Sequence, residues 1–301
     1  MMMTRGARKG FSLVELLVIL VLSSIVMGGL TSVLVRQQRF YRGTADLIET
    51  RSQIRQAAGI IPSDLRGVST AGGDIIQISD TEMVFRATIG QAVSCVEVGG
   101  VSTLHVPPLV LANNNVLASF TVNPQIGDTV FVYHDGLTEA AVDDKWRPYG
   151  ITGVSTESLS DCPVLTGTGD LTTPRYSFSL SKPLDLDITL GTPLRFVRRT
   201  RYTLYQATDA AWYLGYCSPD CAGGVAPQPI AGPFLPGGGG TAGVSFSYQD
   251  EAGAVTAVPA NVAQVSIVVR GKTRGVVDMG GYKNDYVGDS LRFSVAIRNR
   301  R

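Results

Sequence analysis

A long uncharged segment near the N-terminus constrains this chain more than any other feature. Between Leu16 and Val35, 20 consecutive residues carry no acidic or basic side chain. As an α-helix this length spans about 30 Å, which is the hydrocarbon thickness of a bilayer. Residues 1–10 precede it and contain three basic residues and no acid: Arg5, Arg8 and Lys9. The positive-inside rule therefore predicts a single-pass topology with a cytoplasmic N-terminus and an exported C-terminal part.

Glu15 is the one charged residue between Lys9 and Arg36. A carboxylate near the start of a membrane helix costs about 2–3 kcal/mol, and an intramembrane acid indicates a function. A cleaved signal peptide or a plain signal anchor gains nothing from that cost. A signal peptide also has a shorter apolar stretch, of about 7–15 residues, and a small-residue cleavage site, which is absent here. The alternative for Glu15 is that its side chain snorkels to the cytoplasmic headgroups.

The segment Lys9-Gly10-Phe11-Ser12-Leu13-Val14-Glu15-Leu16 resembles the processing site of type IV prepilins and type II secretion pseudopilins. The resemblance covers roughly residues 5–40. It implies that prepilin peptidase cuts between Gly10 and Phe11 and that Phe11 is then N-methylated. It also implies that Glu15 pairs with the terminal amine of another subunit during assembly. The expected partners are prepilin peptidase, other major and minor pilins or pseudopilins, and the inner membrane, before the protein enters a pilus or pseudopilus.

Apolar residues recur every seven positions beyond the uncharged segment, at Val33, Phe40, Leu47, Ile54 and Ile61. This period predicts one continuous amphipathic helix, which we expect Gly59 and Pro62 to end. A coiled-coil dimerisation helix is the alternative. The predicted organisation is a cleaved leader at 1–10, a transmembrane helix at 11–35, an exported half of the same helix at 36–61, and a β-rich domain at 62–301.

Short apolar runs of period two follow residue 62 and predict a mainly antiparallel β-sheet. The predicted strands are Asp74 to Ser79, Glu82 to Ile89, Val116 to Val122, Thr129 to Tyr133, Arg175 to Leu180, Leu194 to Tyr205, Trp212 to Tyr216, Val244 to Tyr248, Val262 to Arg270 and Ser290 to Arg298. A turn near Thr208 to Ala210 predicts a hairpin. Loop insertions are expected at 123–174 and 227–240. The fold class is therefore α+β and pilin-like, with a long N-terminal helix, its first half transmembrane, packed on the β-domain.

The chain has four cysteines, all in the segment expected to be exported: Cys95, Cys162, Cys217 and Cys221. An even number in an oxidising compartment favours disulfides. Pairing Cys217 with Cys221 would close a tight loop and leave Cys95 for Cys162, although two other connectivities stay open.

No catalytic constellation, cofactor motif or metal-ligand spacing is evident, so neither an enzyme nor a cofactor is predicted. His105 and His134 look isolated, and no metal site is predicted. An acidic run could bind Ca²⁺, but it lacks the ligand spacing and is read as a solvated loop: Asp135, Glu139, Asp143 and Asp144. Basic and aromatic residues mix between 198 and 216, as in some DNA-binding surfaces. A half-buried hairpin gives the same alternation, and the net charge of +1 does not favour nucleic acid as a partner.

The C-terminal order of elements is similar to that of large PilW-type minor pilins and of J-type pseudopilins. The favoured function is a minor pilin that joins or primes a type IV pilus. The first alternative is a minor pseudopilin of a type II secretion system. The alternative of another class is a membrane-anchored exported binding domain or enzyme.

Overall fold

The computed structural model describes residues 10, 12–70, 72–95, 99–136, 144–157, 173–221, 224–237, 241–279 and 282–297. Within these ranges, one long helix, α1 (Leu13–Leu65), precedes fifteen β-strands. The chain divides into two compact units, one of residues 1–52 with 272–289 and one of residues 53–271 with 290–301. The predicted α+β class is confirmed, since an apolar N-terminal helix is combined with a mainly antiparallel β-domain.

The helix continues beyond its predicted end. The expected stop at Gly59 and Pro62 is wrong, because α1 runs through Pro62 to Leu65. A proline inside a helix removes one backbone hydrogen bond and costs about 3 kcal/mol. Ile61 and Leu65 on either side of it are fully buried, and each such burial contributes about 1.5–3 kcal/mol. Packing of the last helical turns therefore offsets the cost of the proline.

The second unit contains a ten-stranded antiparallel sheet. Its main order is β1 (Ile75–Ile78), β2 (Glu82–Val93), β8 (Pro193–Gln206), β5 (Thr129–His134), β6 (Lys145–Glu157), β7 (Arg175–Leu180) and β3 (Thr103–His105). Three further strands join it: β4 (Ser119–Phe120) on β2, β9 (Trp212–Cys217) on β8, and β10 (Gln228–Phe234) on β9. The 14-residue β8 pairs with three of these strands, so it holds the sheet together.

The predicted hairpin between β8 and β9 is confirmed. Ala207 N donates to Ala211 O across the turn, at 2.9 Å. Ala210 has a φ of 62°, in the left-handed region that few non-glycine residues occupy. The register pairs Tyr205 with Tyr213, whose rings lie 6.4 Å apart.

One hydrophobic core lies between the C-terminal end of α1 and two sheets of the second unit. The smaller sheet has the order β11 (Val244–Gln249), β12 (Gln264–Lys272) and β15 (Gly288–Ala296). The helix contributes four buried residues to this core: Ile54, Ala57, Ile61 and Leu65. The sheets contribute residues such as Phe85, Tyr202, Phe246 and Ile267. The last two members of the seven-residue repeat, Ile54 and Ile61, therefore lie on the helical face that packs on the β-domain, whereas Val33 and Phe40 are exposed.

A second core lies among β2, β5, β6, β7 and β8. Three phenylalanines meet at its centre, with ring centroids 4.9–6.5 Å apart: Phe120, Phe178 and Phe196. Phe178 and Phe196 are fully buried, and Phe120 is partly buried against the same cluster.

Three loop and strand predictions need correction. The loop-rich insertion expected at 123–174 contains β6, an internal strand of the large sheet, in addition to β5, which matches the predicted strand Thr129 to Tyr133. The surface loop expected at 227–240 contains β10. The strand expected at Val116 to Val122 is reduced to the two residues of β4.

The first unit combines α1 up to Ser52 with residues 272–289. It contains β13 (Val277–Met279) and β14 (Tyr282–Asp285), which pair antiparallel. Arg51 Nε lies 2.8 Å from Asp289 Oδ2, and Gly275 N donates to Asp46 Oδ2 at 3.1 Å. A Cβ at Gly43 would approach Val277 Cγ1 to 3.1 Å, so the glycine permits close packing on the helix.

Candidate processing and assembly site

The predicted processing and assembly residues lie at the beginning of α1. Gly10 is exposed and outside the helix, which begins at Leu13. Phe11, the predicted site of N-methylation, lies outside the described residues. Glu15 occupies the first turn of α1 and is exposed. A Cβ added at Gly10 would meet nothing within 4 Å. Packing against the described residues therefore does not require glycine here, and an extended backbone for a peptidase stays the predicted reason.

The same segment carries a helix-capping pattern that the sequence interpretation missed. Leu16 N donates to Ser12 O at 3.2 Å, which makes Ser12 the N-cap residue. Ser12 and Glu15 then have the spacing of a capping box. An acid in the first turn interacts favourably with the helix dipole, by about 0.3–1 kcal/mol. This gain only partly offsets the cost of an acid in a membrane helix, which reaches about 2.5–3.5 kcal/mol at the helix centre.

The N-terminal half of α1 presents an apolar surface that the described part of the chain leaves uncovered. Every residue from Ser12 to Arg42 is exposed. An 18-residue window of the helix has a mean hydropathy of 2.5 and no buried residue. The helix is therefore long and apolar enough to cross a membrane. A secretory signal sequence would pass the same test of length and hydropathy, so the test alone does not identify the segment.

Three of the four polar side chains between Leu16 and Val35 are hydrogen-bonded to the helix itself. Ser24 Oγ donates to Val21 O at 2.8 Å, and Thr31 Oγ1 donates to Met27 O at 2.7 Å. Ser32 donates in the same way to the preceding turn. In hydrocarbon an unsatisfied polar group costs several kcal/mol, so this pattern suits a helix surrounded by lipid or by other apolar helices.

Residues 5–31 match the family model of the prokaryotic N-terminal methylation motif. The matched range includes Gly10, Phe11 and Glu15. The motif, the single apolar N-terminal helix and the antiparallel β-domain together fit a pilin anchored in the inner membrane. The match supports the type IV prepilin and pseudopilin family, whose members are substrates of prepilin peptidase. It does not distinguish PilW-type minor pilins from J-type pseudopilins. No curated protein matches the chain.

The predicted disulfide between Cys217 and Cys221 is confirmed, with their Cα atoms 5.3 Å apart. Cys95 is also disulfide-bonded. Cys162 lies outside the described residues, so its pairing with Cys95 stays a prediction.

Asp220, within the loop closed by the Cys217–Cys221 disulfide, binds two arginines of β8. Its carboxylate accepts hydrogen bonds from Arg199 Nε and Arg201 Nε, both at 2.6 Å. Burial by itself would raise the pKa of Asp220, but the hydrogen bonds from Arg201 and Arg199 outweigh it and hold the pKa below its usual value. The loop thus has a structural role within the β-domain.

The basic and aromatic residues considered as a DNA-binding surface take part in internal interactions. Arg198 is buried and forms a two-bond ion pair with Asp128, at 2.7 and 2.8 Å. Arg201 also pairs with Glu82, at 3.2 Å. Tyr202 is fully buried. The alternation of basic and aromatic residues along β8 therefore arises because one face of the strand packs in the core and the other carries arginines paired with acidic residues.

The two histidines have different surroundings. His105 lies 3.8 Å from Glu157. His134 is not isolated, which corrects the sequence interpretation: it is buried, and its ring lies between Asp185 and Asp187. In the acidic run, Asp144 accepts from Tyr133 Oη at 2.6 Å and from Gly136 N at 3.2 Å. Glu139 and Asp143 of that run lie outside the described residues.

Proposed function

We propose that this chain is a minor pilin that joins or primes a type IV pilus. Prepilin peptidase removes residues 1–10 at the cytoplasmic face, and Phe11 is N-methylated. The β-domain is exported, and α1 holds the subunit in the inner membrane until it enters the filament. The observation that carries the proposal is Glu15, an acid within the methylation motif on the otherwise uncharged and exposed N-terminal part of α1.

Glu15 has a physical purpose when α1 leaves the membrane for the core of a filament. Cleavage after Gly10 creates a charged amine at Phe11, and a neighbouring subunit presents Glu15 in the same apolar surroundings. An unpaired charge in such a medium is very costly, whereas opposite charges in contact satisfy each other. The pair therefore favours one register between subunits and penalises displaced ones.

The size of the β-domain favours an occasional subunit over the main one. The domain contains two separate hydrophobic cores and a ten-stranded sheet. Domains of this bulk would crowd one another if they occupied every position along a filament. A place at the tip, or as an occasional insertion, avoids that conflict.

Neutralising Glu15 tests the proposal. In the native cell, Glu15→Gln and Glu15→Leu should still be cleaved, methylated and inserted, but should be largely lost from sheared filaments. Glu49→Gln is the matched control, because Glu49 is exposed on the same helix outside the apolar segment. The measurement is the ratio of mature subunit in the filament fraction to that in the inner membrane. Unchanged incorporation of both Glu15 variants would mean that the carboxylate only snorkels.

A gene deletion separates the pilus from the secretion system. The proposal predicts that deletion reduces piliation and leaves protein secretion intact, and plasmid-borne wild type should restore the pili. Loss of secretion with normal piliation would instead assign the chain to a pseudopilus.

A further inference from the structure

Two aspartates of one loop lie on either side of a buried imidazole. His134 ends β5, and Asp185 and Asp187 belong to the segment between β7 and β8. Asp187 Oδ2 lies 2.8 Å from His134 Nδ1, and Asp185 Oδ2 lies 3.5 Å from His134 Nε2. One ligand atom from each of the three residues lies within 4.8 Å of the others.

The loop holds these carboxylates in place by its own packing. Leu184 and Ile188 flank the Asp-Leu-Asp segment and are 2% and 1% exposed. Leu186, between the aspartates, is 79% exposed. The apolar anchors therefore fix the segment at both ends, and its two acidic side chains converge on the imidazole.

Solvent reaches the cluster on the side of the two aspartates, and Tyr149 lies on the opposite side, next to the buried imidazole. The His134 side chain is only 3% exposed, whereas those of Asp185 and Asp187 are 34% and 47% exposed. Tyr149 closes the inner side, with its hydroxyl 3.3 Å from His134 Nε2. Arg147 hydrogen-bonds to Asp185, so an entering cation would have to share that carboxylate with the guanidinium.

We propose that His134, Asp185 and Asp187 bind a divalent transition-metal cation of the zinc class. Zinc accepts imidazole nitrogen at about 2.0–2.1 Å and carboxylate oxygen at about 2.0–2.2 Å. Ligand atoms of a tetrahedral site then lie about 3.3 Å apart. A zinc ion binds one imidazole nitrogen, and at His134 Nδ1 the Asp187 oxygen, 2.8 Å away, needs only a small shift. The Asp185 oxygen, now 3.5 Å from the other nitrogen, Nε2, has to rotate toward the ion, over a cluster whose ligand atoms all lie within 4.8 Å. Water would complete the coordination. Calcium suits the cluster poorly, since it prefers six to eight oxygen ligands.

Bound zinc would tie the β7–β8 segment to the end of β5. Both belong to the second unit, so the metal would act within the β-domain. A ligand that binds only the folded state stabilises it by mass action. The inference concerns the stability of this domain, and it does not depend on the proposed assembly function.

Thermal unfolding of the full-length chain in detergent, stripped with EDTA and then given zinc chloride, tests the proposal. Zinc at about 100 times Kd should raise Tm by roughly 5–10 °C. Calcium chloride should leave Tm unchanged. The same samples, measured by titration calorimetry, should bind one zinc ion per chain.

Four variants locate the site. His134→Gln and Asp187→Asn should both remove the zinc-dependent rise in Tm. Asp187→Asn leaves the buried imidazole of His134 in place, so this variant should keep the fold. The controls make the same chemical changes at residues outside the cluster: His105→Gln, and Asp135→Asn, which is exposed. Both controls should keep the rise. Failure of zinc to stabilise the wild type, or an equal rise in Asp187→Asn, would overturn the proposal.

Discussion

Replacing Ile61 by alanine should destabilise the β-domain strongly, because the end of α1 is part of its core. Ile61 is fully buried among core residues of the second unit. The substitution removes three carbon groups, worth about 0.8 kcal/mol each, or about 2.4 kcal/mol together. An unfilled cavity adds to this, and we expect a loss of about 3–4 kcal/mol. For a domain of this size that corresponds to a fall in Tm of roughly 6–16 °C.

Ile48→Ala is the matched control. It makes the same change on the same helix, but Ile48 is 63% exposed. Its effect on the purified chain should stay within about 0.5 kcal/mol. Both variants would be compared with wild type by thermal and urea unfolding in detergent, followed by the fluorescence of Trp146 and Trp212. Equal stabilities of the Ile61 and Ile48 variants would refute the packing of α1 on the sheets.

Two further changes test the paired charges of the β-domain. Arg198→Met leaves the buried carboxylate of Asp128 without its ion-pair partner and should lower the free energy of unfolding by about 3–5 kcal/mol, measured by urea unfolding. The control Arg199→Met should show a much smaller loss, because the Arg199 side chain is 51% exposed. Asp220→Asn tests pH dependence: because the folded pKa of Asp220 lies below its usual value, its stabilisation is present above about pH 4 and is lost as the pH falls through the folded pKa. The gap in Tm between wild type and Asp220→Asn should therefore shrink from about pH 5 to about pH 3, and a gap independent of pH would contradict the role of the carboxylate.

The sequence predicted the helix and most strands because their signals are local. The run from Leu16 to Val35 and the repeat that includes Ile54 and Ile61 each specify a helical face by spacing alone. The helix end was missed because burial of Leu65 outweighs the local effect of Pro62, and burial depends on residues distant in sequence.

Two of the missed strands, β6 and β10, carry residues that usually interrupt strands. β6 contains Pro148 and two glycines, and its pairing with both β5 and β7 stabilises it despite them. β10 contains Pro229 and Pro233 and pairs only with β9 among the described strands, so it lies at an edge where a missing N–H is tolerated.

The two candidate sites differ in how much the sequence could show. Gly10, Phe11 and Glu15 lie within six consecutive residues, so their spacing was sufficient to suggest processing. His134 and Asp187 are 53 residues apart, and only the antiparallel sheet brings them together. The alternation of Leu184, Asp185, Leu186 and Asp187 was the one available signal, and it did not indicate a partner.

Intact-mass and N-terminal analysis of the protein from its native cell tests the central claim most directly. Processing as a prepilin predicts a chain that begins at Phe11, lacks residues 1–10 and carries one methyl group on its terminal amine. The same form should disappear from a strain without prepilin peptidase. A full-length chain, or one cut near residue 35, would contradict the assignment.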